Sequence, residues 1–116
     1  MSRPESSLLT ATELGCAEQL ARFFPQVEPV EVPAQVIALR PGKKQLREAV
    51  TVQFSGAEHA IFLSTLPIEF NDAVRLVQRE GGGAVEGSVV AVQYDEGRKA
   101  VAVRFTGGPC EWLARR

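Results

Sequence analysis

Scarcity is the first feature of this 116-residue chain, which holds one histidine, one methionine, one tyrosine, one tryptophan and two cysteines. Cys16 and Cys110 lie 94 positions apart with no second thiol near either, which excludes a disulfide framework and gives no metal-ligand spacing. Free thiols in a reducing compartment follow, and the cytoplasm is the expected location. With His59 as the only imidazole, at the start of a strand pattern, few catalytic triads can be built, and a surface role is the plainer reading. Neither Cys16 nor Ser64 sits in a nucleophile signature, and Glu69 and Asp72 flank a turn where acids usually satisfy backbone or water. No enzyme is expected. No apolar run approaches the ~20 residues that a membrane-spanning helix needs. The tetrad "ELGC" at 13–16 glances toward a lipoprotein cleavage site, but Glu5 and Glu13 interrupt any apolar leader before it.

Charge of one sign is also missing. The net charge of −1 removes a general argument for polyanion binding, so nucleic acid is not an expected partner unless a local patch recruits it. The distribution is uneven, however: residues 1–33 sum to −3 and residues 34–116 to +2.

What remains is ordinary for one globular domain, with 45% hydrophobic and 23% charged residues. Leu14, Ala17, Leu20, Ala21 and Phe24 form a helical stripe, with Thr10 or Thr12 available as a cap, and predict a helix over 8–24. Its apolar face must be covered, and packing on the same chain is expected. Pro25, Pro29 and Pro33 predict an extended connector over 25–33, so that residues 1–33 precede a β domain at 34–116.

Short alternating runs then follow. A strand is expected at 34–39. In 49–55, Val50, Val52 and Phe54 are expected on one face, and in 59–65 Ile61 and Leu63 share a face. Val74 and Leu76 oppose Arg75. The glycines at 81–83 suggest a hairpin rather than a phosphate loop, because no helix pattern follows them. Gly87 suggests a bulge or bend within the long run 84–94, and Asp95-Glu96-Gly97 turns into a last strand with Val101, Val103 and Phe105 inside. Strands this short and numerous hide their edges most simply in a small closed antiparallel barrel. Tyr94 and Trp112 lack the basic–aromatic interleave of single-strand binders and are expected to cover the barrel's ends.

One stretch stands apart. Residues 34–47 carry Arg40, Lys43, Lys44 and Arg47 with no acid among them, in a loop containing Pro41 and Gly42. Such a loop can present several cations to phosphates or guanine edges, or can simply keep the surface wet.

Three segments together resemble the PilZ domain, a six-stranded β-barrel of bacterial cyclic-di-GMP signalling. "KKQLR" (43–47) stands where that family carries Arg-x-x-x-Arg in the arm entering the first barrel strand, and "GSVVAVQ" (87–93) and "VAVRFTG" (101–107) match its closing hairpin. The resemblance covers roughly residues 43–108 and implies a six-stranded β-barrel, so that with the helix read from the stripe the expected fold is mainly β, a small six-stranded antiparallel barrel with one N-terminal helix. It also implies cyclic-di-GMP as ligand, with Lys43 and Arg47 at the two ends of the arm motif, and Arg40 and Lys44 of the same basic loop join them as candidate binding residues. Two departures weigh against that ligand. Lys43 replaces the first Arg and offers no planar fork, and the Asp/Asn-x-Ser-x-x-Gly motif is missing where "FLSTLPIEFND" (62–72) stands. The leading expectation is a degenerate, non-catalytic signalling module that acts through a protein partner. A genuine cyclic-di-GMP receptor comes second, and an unrelated small barrel binding RNA or protein third.

Overall fold

Period-two alternation over most of the chain is realised as six strands: β1 (Glu28–Leu39), β2 (Leu46–Ser55), β3 (His59–Ser64), β4 (Ala73–Gln78), β5 (Ala84–Asp95) and β6 (Arg98–Phe105). The computed structural model describes residues 15–80 and 83–107, and one helix, α1 (residues 15–21), precedes the strands. Every pairing is antiparallel, and the order β1-β2-β3-β6-β5-β4 closes because β1 pairs with both β2 and β4. The fold is therefore mainly β, a closed six-stranded antiparallel barrel with one short helix among the described residues, and the expected fold class holds.

The inward faces follow the alternation. Val36, Val52, Phe62, Val74, Leu76 and Val101 are completely buried in one core, with Val103 and Phe105 beside them. The β5–β6 hairpin turns through Glu96 and Gly97, both with positive φ (48° and 88°), a two-residue turn whose twist matches that of the flanking strands.

Three register shifts interrupt the ladders, one in the β1–β2 pairing between Pro29 and Val32 and two that change the phase of expected faces. Val52 pairs with Phe62 but Phe54 pairs with Ile61, so Gln53 is an extra residue in β2. Val50 and Val52 consequently serve the barrel core, whereas Phe54, expected on their face, packs in a second cluster outside it. A second shift falls between Val89 and Ala91, so the bulge in β5 is at Val90 and not at Gly87. Gly87 answers a different need: a Cβ there would lie 2.4 Å from Val103 Cγ1 and 2.5 Å from the Arg104 carbonyl oxygen. Only a hydrogen side chain allows β5 and β6 to approach so closely.

The second cluster is the seat of α1. Cys16, Ala17 and Leu20 bury against Ile61, Ala100 and Ala102 on the outer face of β3 and β6, with Ala21, Phe24 and Leu63 packed around them. The two alanines of β6 leave room for the helix. β3 is thus covered on both sides, by the barrel core at Ala60 and Phe62 and by the helix at Ile61. The helix ends sooner than its stripe suggested: Arg22, Phe23 and Phe24 donate to carbonyls three residues back, a tightened last turn before Pro25. Residues 8–14, including Leu14, lie outside the described residues.

Most of the expected connector belongs to the barrel. β1 starts at Glu28, so Pro29 and Pro33 are strand residues. They are tolerated because the ladder with β4 begins only at Ala34, leaving residues 28–32 paired on one side alone, while Pro33 offers that side only its carbonyl, which accepts the Arg79 N–H at 3.1 Å. A proline lacks the N–H for a second ladder, and an open side demands none.

One end of the barrel is plugged. The loop 40–45, the connection 65–72 and the turn 96–97 all lie there, as the pairs Leu39–Ala73, Ser64–Lys99 and Asp95–Arg98 require. The 65–72 connection crosses the mouth, from the end of β3 to the start of β4, and drops Ile68, completely buried, into the core. Lys99 holds it: its Nζ donates to the Ile68 carbonyl at 2.9 Å, with Glu69 Oε2 at 3.9 Å.

Candidate functional site

The basic stretch becomes the loop between β1 and β2. Pro41 and Gly42 occupy the middle of a four-residue turn closed by the Lys43 N–H donating to the Arg40 carbonyl at 2.9 Å, and Gly42 has φ +75°. Proline second and a left-handed glycine third are what a type II turn requires. The turn brings Arg40 and Lys43 to one cleft of about 340 Å³, whose other walls are Leu39, Pro67, Asp72 and Ala73. Lys44 is exposed and does not line this cleft.

Arg47 goes elsewhere. It sits on β2 directly across from Ile37, whose other neighbour on β4 is Arg75. Arg75 is itself bonded to Glu86 at 2.6 Å. This row lies on the outer wall. Ile37 is only 5% exposed there, and the stems of its two flanking arginines are suited to cover it. Thus the loop follows a complete strand instead of entering the first one, and the two ends of "KKQLR" part: Lys43 at the loop cleft, Arg47 on the wall.

The polar groups of 62–72 are engaged internally. Ser64 Oγ donates to Glu48 Oε1 at 2.7 Å and accepts the Leu66 N–H at 3.0 Å. Thr65 donates to the same carboxylate from its N–H at 3.1 Å and from Oγ1 at 2.6 Å. Asp72 accepts the Glu69 N–H at 2.9 Å, and Tyr94 Oη donates to Glu69 Oε1 at 2.6 Å. The acids at the turn therefore satisfy neighbours, as the plainer reading had it. Tyr94 stays exposed, its ring 5.3 Å from the Lys99 ammonium at the plugged end. Trp112 and Cys110 lie outside the described residues.

Glu48 was missed by sequence reasoning, although its phase offered a signal: it occupies the inward step between Leu46 and Val50. Its carboxylate stands where the β2–β3 ladder gives out beyond Val52–Phe62. Burial pushes this carboxyl up, but the hydrogen bonds from Thr65 and Ser64 outweigh it and hold the group below its usual range. Lys99, at the inward step before Val101, carried the same kind of signal.

Among the described residues, the remaining reactive groups stand apart from one another. His59 is half-buried against Phe24, ring centroids 4.7 Å apart, and burial lowers its pKa. Cys16 is buried, its Sγ 3.2 Å from the Gln93 carbonyl oxygen, and burial raises its thiol. Among the described residues no three His, Cys, Asp or Glu side chains could hold a metal ion, and no helix is long and apolar enough to cross a membrane. No protein-family model matches the chain, and no curated protein matches it.

Proposed function

We propose that this chain is a PilZ-like, non-catalytic signalling module of the bacterial cytoplasm that has lost its nucleotide-reading groups and acts as an adaptor through contacts with another protein. The observation that carries this reading is the separation of Lys43 from Arg47, together with the engagement of Ser64 by Glu48. A cyclic dinucleotide needs convergent cations and free groups for its guanine edges. Here one cation is on the outer wall, and the nearby serine is occupied. Each missing charge-assisted hydrogen bond costs about 1.5–3 kcal/mol, roughly ten- to a hundredfold in affinity.

One observation favours a second reading, a true cyclic-di-GMP receptor: Arg40 and Lys43 do share a cleft. Isothermal calorimetry with cyclic-di-GMP, and with a single-stranded RNA as control, separates the readings. The adaptor reading expects no heat from either. Stoichiometric micromolar heat from the dinucleotide alone would promote the receptor, and Arg40→Ala or Lys43→Ala should then abolish it. Salt-dependent heat from the RNA would instead indicate an unrelated RNA-binding barrel.

A further inference from the structure

The outer side of β2 is built for an occupant. β2 pairs with β1 along nearly its whole length, but with β3 only from Val52 to Ser55. Residues 48–51 therefore have a ladder neighbour on one side only, as do the first residues of β1. An unpaired strand edge is a template for another strand. Glu48 bridges the gap to Ser64 and Thr65 with its side chain, which leaves the backbone edge of 48–51 without a ladder.

Two clefts lie along this stretch and continue one another, because both are lined by Thr51 and Gln53. The first, about 360 Å³, contains the four consecutive residues Glu48–Thr51 and is flanked by Arg79 and Arg98. The second, about 560 Å³, runs past Phe54 and Val30 and is flanked by Glu18 and Glu31. None of these four charged residues makes a salt bridge among the described residues. One half of the groove thus carries Arg79 and Arg98 against the single internally bonded carboxylate of Glu48, the other half carries Glu18 and Glu31, and Pro33, Leu63 and Phe54 give apolar surface along it.

We infer that this groove takes an extended segment of a partner protein, added as a strand along β2, with acidic residues toward Arg79 and Arg98 and basic residues toward Glu18 and Glu31. The inference rests on the adaptor reading and specifies its contact surface. Six residues of β2 line the two clefts, Glu48–Thr51, Gln53 and Phe54, so an extended occupant of roughly 23 Å follows them, its main-chain bonds confined to the open edge of 48–51. Main-chain bonds to the open edge would supply affinity, and the charge pattern would set direction. A small anion satisfies only the cationic half and has no use for the edge.

The test is selection of random dodecapeptides displayed on phage against the full chain, in parallel with the Arg79→Glu/Arg98→Glu variant. Against the parent, the enriched sequences should carry an acidic cluster and a basic cluster separated by a few alternating apolar residues. Against the variant, the acidic cluster should be replaced by basic residues. A synthetic parent consensus peptide should bind the variant at least about tenfold more weakly, and its acid-to-lysine version should recover the loss. Amide exchange at residues 48–51 should slow in the complex. An absence of enrichment, a consensus indifferent to the charge reversal, or unchanged exchange along 48–51 would each overturn the groove. The dinucleotide titration decides the adaptor reading separately, so the failure of either is recognisable on its own.

Discussion

His59 shows how one side chain couples the helix connection to the barrel. It pairs with Arg104 at the start of β3 while its ring packs on Phe24. Burial disfavours the imidazolium, so the folded pKa lies below the usual 6.5. The unfolded chain therefore binds the proton more readily, and stability should be complete above about pH 6.5 and decline as the pH falls below it toward the folded value. Urea midpoints measured between about pH 7.5 and 5 should drop in the parent and flatten across that window in His59→Gln. Equal slopes in both proteins would remove His59 as the cause. Glu48, whose carboxyl is held low, acts at more acid pH: its contribution is present above the usual carboxylate range and is lost as the pH falls through the depressed folded value.

At the scale of elements, the 65–72 connection behaves as a stopper and not as a loop. Ile68 is as buried as any strand residue, and Lys99 fixes the carbonyl beside it. Ile68→Ala should cost about 2–5 kcal/mol in chemical denaturation, the range for a truncated core isoleucine. A loss below about 1 kcal/mol would mean that the stopper contributes little to the core. Alternation in β4 and β6 was readable because neither strand contains a bulge: Val74, Leu76, Val101 and Val103 fall inside as expected. β2 and β5 were only half readable. Nothing in "VTVQFS" announces that Gln53 will be passed over by its partner, and that one extra residue sends Phe54 to the opposite face. The prolines of β1 misled for a related reason. Proline forbids a second ladder, not a first, and which strands lie beside it is a tertiary matter.

For the whole molecule, closure depends on β1 reaching β4, and the helix then covers the wall formed by β3 and β6. Deleting residues 1–24 would strip Cys16, Ala17 and Leu20 from Ile61, Ala100 and Ala102, exposing a contiguous apolar patch. The shortened protein should melt several degrees lower or aggregate, measurable by circular dichroism and light scattering. An unchanged transition in a monodisperse sample would show that the wall does not need its cover. The candidate site was less legible than the fold. Four cations close in sequence look like one site, yet a tight turn and the two-sided geometry of a strand send Arg40 and Lys43 one way and Arg47 another.

Local pattern alone settled the fold class, the strands of the closing hairpin and the single apolar stripe of the helix, because alternation and turn chemistry act between residues near in the chain. Tertiary structure alone decided where the ladders break, which acid bridges the break and which charges share a groove. Those outcomes depend on strands distant in sequence, Glu48 beside Thr65 and Thr51 in one cleft with Arg79 and Arg98, and no short-range rule places them together.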